Sequence, residues 1–424
     1  MISEVLSYGA MRTLLWPLSW LPYRMIHALG KGLGTLIYYM YPKFRKRALS
    51  NLALASSLKL SLDQIVATAK GSLQNVTITC LEYAKLAREK EISRIVTCEN
   101  PEEAFSFLKQ GKGVIFFCGH QANWELLFLE GTSRMPGVAI GRPTKNKFLY
   151  RWVIKMREKF GGKIIEPHHA VKEGLRALKK NNFLGIVGDQ GMPKGGVASN
   201  FLGRSAYTSP LPAILAYRTG APVFVATVRR RKGRYTIHYS APLYADSSQD
   251  METEVPRLMQ ETLRLFEASI MEIPSQWLWQ HNRWKQQLPG TVKRIYRYDA
   301  VCVVLPSNKS QWKDLLPAVE SLRKIYPTEY FTVVAPAELE NSPEFPELPD
   351  VHWRFYKNKQ ELFLTDYASK IVFNFSGFAS LSRHYYRHSA FKILTLDEIW
   401  RLGKVVRDSL SLSELFYKVL YHAG

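Results

Sequence analysis

Between residues 114 and 270 short apolar runs alternate with stretches of helical period, and this alternation confines the chain to an α/β fold. Val114-Ile115-Phe116-Phe117 is apolar throughout and bounded by glycines, so it reads as a buried strand. The pattern then predicts a helix over 123–129, a strand over 138–140, a helix over 148–160 and a strand over 163–165. A helix over 170–180 and a strand over 184–187 follow, then a helix over 210–218 that starts at Pro210. Strands over 223–230 and 235–239 pair around Lys232-Gly233, and 254–270 is helical. A helix with apolar residues at helical spacing, 62–90, precedes them all. The expected fold is an α/β sandwich around a mixed sheet. A second, smaller Rossmann-like α/β unit begins near 298, with strands at 300–305, 331–334 and 371–375. The polar stretch 286–299 holds Pro289-Gly290 and suits a boundary.

The formal net charge is +22, which calls for an anionic partner. Residues 10–41 are apolar and aromatic but broken by Pro17, Pro22, Arg24, His27 and Lys31, short of the roughly 20 unbroken apolar residues of a spanning helix. Lys43, Arg45, Lys46 and Arg47 follow directly. Rings beside cations suit the headgroup region of an anionic membrane. Residues 1–47 are therefore expected to be a membrane anchor, either a short spanning helix or one lying in the interface. The remaining division is 48–290 for the main domain and 291–424 for the accessory one. Cys80, Cys98, Cys118 and Cys302 match no metal or disulfide framework, in keeping with a reducing compartment. No helix-turn-helix, RNA-binding pattern or zinc spacing accompanies the charge, so nucleic acid is not an expected partner.

The segment that carries chemistry is Cys118-Gly119-His120-Gln121-Ala122-Asn123-Trp124-Glu125. It lies at the carboxyl end of the first strand, where α/β sheets place ligands. His120 there can take the proton of an alcohol. Glu125, a little over one turn along the next helix, could hold the other ring nitrogen. A structural histidine and a solvated helix acid are the plainer alternative.

Several further elements, in order, resemble the lipid A late acyltransferases over roughly residues 10–290. Leu21-Pro22-Tyr23-Arg24, Gly30-Lys31-Gly32-Leu33-Gly34 and Arg47-Ala48-Leu49-Ser50-Asn51-Leu52 look like the family's anchor and first helix. The span from His120 to Glu125 looks like its histidine-and-acid box. Gly141-Arg142-Pro143, Arg157 before Phe160-Gly161, Gly188-Asp189-Gln190 and Phe201-Leu202-Gly203 match later elements. Ile273-Pro274-Ser275-Gln276-Trp277-Leu278-Trp279-Gln280-His281-Asn282-Arg283-Trp284-Lys285 resembles the closing segment. The resemblance implies transfer of a fatty acyl chain from acyl carrier protein to a hydroxyl of a lipid A precursor glycolipid. It implies direct transfer with His120 as general base and Glu125 as its partner. Arg142 and Arg157 would stabilise the oxyanion or hold substrate phosphate, and Asp189 would orient one of them. Neither metal nor cofactor is implied, and the site would face the cytoplasm at the bacterial inner membrane.

Gln121 and Ala122 replace bulkier residues of that box, and Asn282 stands for the usual arginine, which bears on acyl length and acceptor position. The alternative is another lipid acyltransferase of the same box, with a glycerolipid or glycolipid acceptor. Cys118 is expected to be a small apolar residue rather than a nucleophile. The basic hairpin Arg229-Arg230-Arg231-Lys232-Gly233-Arg234 could bind lipid phosphate or acidic carrier protein, or be a solvated turn. The unit after 290 faintly resembles half of a two-domain glycosyltransferase of the heptosyltransferase type, through Val303-Val304-Leu305-Pro306-Ser307 and Asn374-Phe375-Ser376-Gly377. It is expected to be dispensable for the chemical step.

Overall fold

The apolar run at 114–118 is buried along its whole length and sits in the middle of a seven-stranded sheet. The computed structural model describes residues 2–285, 291–407 and 409–421. In the first unit (1–41 and 66–281) the strands are β1 (Val96–Cys98), β2 (Val114–Cys118), β3 (Gly137–Ile140), β4 (Lys163–Ile165), β5 (Phe183–Val187), β6 (Val197–Phe201), β7 (Arg204–Thr208), β8 (Val223–Arg231) and β9 (Arg234–Tyr239). The sheet order is β1-β9-β8-β2-β5-β3-β4, and β6-β7 form a separate hairpin. Only β8 and β9 pair antiparallel within the large sheet, so it is mixed, as expected. β2 is covered on both faces and is apolar at every position, the signature of a central parallel strand. β9 buries alternate residues, Tyr235, Ile237 and Tyr239, and lies nearer the edge.

The hairpin β6-β7 and the short strand β1 were not legible in the sequence. The helix expected at 123–129 runs over Glu125–Arg134, and Ala122 before it has a positive φ of 45°. The helix Tyr23–Met40 packs tightly on Leu62–Leu86. A Cβ on Gly34 would lie 2.4 Å from the Gln74 Cα, and one on Gly30 would lie 2.8 Å from the Ile78 Cα. No helix among the described residues is long and apolar enough to cross a membrane. Arg24, His27 and Lys31 interrupt the apolar run of the N-terminal candidate Tyr23–Met40.

The second unit comprises 42–65 and 282–424. Its strands β10 (Ala300–Val304), β11 (Tyr330–Pro336), β12 (Val351–Tyr356), β13 (Ile371–Asn374) and β14 (Lys392–Leu394) form a parallel sheet in the order β12-β11-β10-β13-β14. The apolar β10 is central and feeds a core with Trp312, Leu322 and Phe373. The expected boundary after residue 290 lies outside the described residues. The expected boundary after residue 47 falls inside the helix Pro42–Leu54, which belongs to this second unit. Lys46 donates from Nζ to the Ala390 carbonyl (2.9 Å), and the Ser50 hydroxyl donates to the Ala368 carbonyl (2.5 Å). Buried Lys370 donates to Asn51 Oδ1 (2.8 Å) and pairs with Asp299 (2.6 Å).

A fragment ending at residue 290 would therefore strip this helix of its partners while keeping the main sheet. Limited proteolysis of that fragment is expected to cut within 42–65, where the full chain resists. Equal resistance in both would show that the helix holds without the second unit.

Candidate active site

The site is built at the carboxyl ends of two neighbouring parallel strands. Cys118 of β2 is in register with Val187 of β5. Two residues beyond each lie His120 and Asp189, so equal offsets from a shared register bring the two side chains together. Gly119 permits the close approach, since a Cβ there would lie 2.1 Å from the Phe266 ring and 2.8 Å from Asp189 Oδ2. His120 Nδ1 lies 2.7 Å from Asp189 Oδ1. Asp189 Oδ2 accepts from the His120 backbone N–H (2.8 Å) and from the Trp277 indole N–H (2.7 Å). Burial alone would raise the Asp189 pKa, but His120 and these donors hold it down to about 2. Its anionic form accepts the Nδ1 proton, which leaves the Nε2 lone pair as the free base. Nε2 lies 3.4 Å from the Gln190 side-chain nitrogen, and the ring meets Trp124 edge-on at 4.8 Å. Burial lowers the His120 pKa, but the Asp189 carboxylate and the more distant Glu125 charge outweigh it, so it lies above its ordinary value.

The loop that carries His120 is clamped by the segment around Trp277. Gln121 forms an antiparallel bridge with Trp277. Leu278 N–H donates to the His120 carbonyl (3.0 Å), and Ala122 N–H donates to the Gln276 carbonyl (2.7 Å). The Ala122 carbonyl accepts from Thr79 Oγ1 (2.8 Å) and Asn75 Nδ2 (3.3 Å). Asn123 donates to Glu82 Oε2 (2.8 Å), itself fully buried. These bonds hold Ala122 in its left-handed conformation, which costs a non-glycine residue energy unless its surroundings fix it.

Glu125 does not hold the histidine ring, contrary to the sequence expectation. It accepts from Arg157 Nε (2.7 Å) and Nη2 (2.5 Å) and from the Tyr83 hydroxyl (2.5 Å). Burial would raise its pKa, but Arg157 and then Tyr83 hold it below the ordinary range. The reason is positional. Glu125 opens its helix facing the end of Lys147–Arg157, whereas the Nδ1 position is filled from β5. Asp189 likewise orients the histidine rather than an arginine. Arg157 is committed to Glu125 through a forked pair and is not a free cation. Arg142 is exposed on the loop after β3 and its side chain makes no hydrogen bond or ion pair among the described residues. Cys118 is buried, and burial followed by the Asp189 charge pushes its thiol far above the ordinary value, so it carries no reactive thiolate. Tyr83, Asn75, Thr79 and Glu82 escaped the sequence reading, because no spacing links the helix Leu62–Leu86 to the strand ends.

Residues 3–286 match the family model described as bacterial lipid A biosynthesis acyltransferase. The chain belongs to this family. It is also similar to the lipid A biosynthesis lauroyltransferase of Escherichia coli K12, with 25% identity over 287 residues, 66% of this chain and 92% of that protein. This chain is thus an enzyme of acyl transfer, and a lipid A-type acceptor follows from the family. The matched span holds the whole His120–Asp189–Trp277 and Glu125–Arg157–Tyr83 arrangement and stops before most of the second unit.

Proposed function

We propose that this acyltransferase moves a fatty acyl chain from acyl carrier protein directly to a hydroxyl of a lipid A precursor, with His120 as general base. The observation that carries this reading is the His120 Nδ1–Asp189 pair at 2.7 Å, which favours the Nδ1–H tautomer in the neutral ring and directs Nε2 away from the carboxylate. In the step, the acceptor O–H gives its proton to Nε2 while its oxygen bonds to the thioester carbonyl carbon. The tetrahedral oxyanion collapses, the C–S bond breaks, and the imidazolium returns the proton to the leaving thiolate. The buried Asp189 charge stabilises the imidazolium between these events. The Gln190 amide beside Nε2 is a donor suited to the developing oxyanion. Glu125 and Arg157 act as a positioning pair in this reading. Glu125 favours a charged His120 ring and Arg157 opposes it, so the two largely offset one another while Glu125 leaves the ring to Asp189. The test is purified protein with acyl-acyl carrier protein and a lipid A precursor, read by mass spectrometry of the acceptor. A mass gain of one acyl chain supports the reading, and an unchanged acceptor overturns it. The lauroyltransferase relative makes a twelve-carbon donor the first to try.

The acceptor is a lipid, and we place the enzyme at the cytoplasmic face of the inner membrane with its N-terminal helix in the interface. Met25, Leu29, Leu33, Leu36 and Met40 are exposed along Tyr23–Met40, and Trp16 and Trp20 are exposed just before it. The triple change Leu29→Ser, Leu33→Ser, Leu36→Ser is expected to weaken sedimentation with anionic vesicles by roughly hundredfold or more, from the lost apolar burial. Unchanged sedimentation would place the membrane contact elsewhere.

A further inference from the structure

Helices Tyr23–Met40 and Leu62–Leu86, with the turn between β8 and β9, line an open cavity of about 630 Å³. Arg24, Lys31, Arg230 and Lys232 line it, with His27 beside them and no carboxylate among the lining residues. The side chains of Arg24, Lys31 and Lys232 are exposed and make no hydrogen bond or ion pair among the described residues. The buried acid behind the wall, Glu82, is already engaged. It meets His27 Nε2 at 2.6 Å and accepts from the Tyr235 hydroxyl at 2.7 Å and from Asn123 at 2.8 Å.

The fourth cation, Arg230, is held in place. Arg230 Nη2 donates to Asn75 Oδ1 (2.6 Å). The Arg230 backbone N–H donates to Gln276 Oε1 (2.8 Å), and Gln276 Nε2 donates back to the Arg230 carbonyl (2.8 Å). Gly233 at the turn lies so close to Arg24 that a Cβ there would be 3.1 Å from its Cγ. Four like charges facing one cavity repel unless an anion joins them, and guanidinium groups match phosphate oxygens in geometry. The helix that supplies Arg24 and Lys31 also carries the exposed Met25, Leu29, Leu33 and Leu36 on another face. A helix with that face in the lipid interface holds its remaining side chains among the headgroups.

We propose that this cavity binds the phosphate group of a phosphorylated lipid. The lipid source rests on the interfacial reading given above, whereas phosphate binding as such does not. Two lining residues reach the catalytic loop: Asn75 donates to the Ala122 carbonyl, and Ala122 N–H donates to the Gln276 carbonyl. A phosphate held here is therefore anchored to the framework that fixes the His120 loop, and it positions the lipid relative to the base.

The test uses the full chain and reads binding, not turnover. Inorganic phosphate is titrated by calorimetry against wild type, against Arg24→Gln with Lys31→Gln, and against Arg218→Gln with Lys172→Gln. The last pair removes the same charge from exposed positions outside the cavity. Retention on phosphatidylcholine vesicles with and without phosphatidic acid is measured for the same three proteins. The cavity pair is expected to lose about thirtyfold in phosphate affinity and in the phosphatidic acid-dependent retention, the combined worth of two headgroup-depth cations. The control pair should match wild type. No loss in the cavity pair, or equal loss in both pairs, overturns the site. Loss for inorganic phosphate with unchanged vesicle retention assigns the cavity to a soluble phosphate ester and overturns the lipid source.

Discussion

Replacement of His120 by alanine is expected to lower acyl transfer by about 10²–10⁴-fold, the usual worth of a positioned general base. The loop around it should survive, because its bonds run through the backbone. Leu278 still donates to the carbonyl of residue 120, and Ala122 still bonds to Gln276. Asp189 keeps the backbone N–H of residue 120 and the Trp277 indole as donors. Activity should fall with little change in the thermal unfolding midpoint. Turnover by a purified, metal-free His120→Ala protein at the wild-type rate would remove His120 from the chemistry. A large fall in the unfolding midpoint would recast it as a structural residue.

The α/β class and the position of His120 were legible because both rest on local pattern. β2 is an unbroken apolar run, and a histidine two residues past its end has few other places to be. The partner of that histidine was not legible in the same way. Glu125 is near in sequence and Asp189 is far, yet proximity along a helix does not bring a carboxylate onto a ring held at a strand end. The information that decides it is the pairing of β2 with β5, Cys118 opposite Val187, which no single stretch of sequence contains. Once that register is known, the offsets of His120 and Asp189 are equal and the pair follows. The closing segment shows the same limit. Trp277 and Gln276 read as a motif of unknown purpose until the bridge to Gln121 shows that they clamp the His120 loop. The domain boundary was hidden for another reason. Helix Pro42–Leu54 is basic and follows an aromatic run, so it reads as a headgroup-facing segment. Yet its Lys46 is buried against the Ala390 carbonyl, a partner 344 residues away.

Asparagine in place of Asp189 is expected to lower turnover by about 10³–10⁴-fold, as the loss of the orienting acid does in a serine protease triad. The geometry explains why so isosteric a change costs so much. Two N–H donors, from the His120 backbone and Trp277, converge on one Asp189 oxygen. The amide oxygen of an asparagine would take that place, which turns its NH2 group toward His120 Nδ1. Nδ1 would then have to accept, the ring proton would move to Nε2, and the atom that should take the acceptor's proton would already carry one. A second readout separates this account from simple disruption of the fold. In the wild-type enzyme kcat/KM should fall as pH drops through the His120 pKa, because only the neutral ring is a base. The Asp189 carboxylate raises that pKa above its ordinary value against the lowering effect of burial. Without the carboxylate, burial and Arg157 continue to lower it while only Glu125 still raises it. The acidic limb of the residual activity should therefore shift to lower pH. Loss of activity with the limb unmoved would mean that Asp189 supports the loop without setting the protonation of His120.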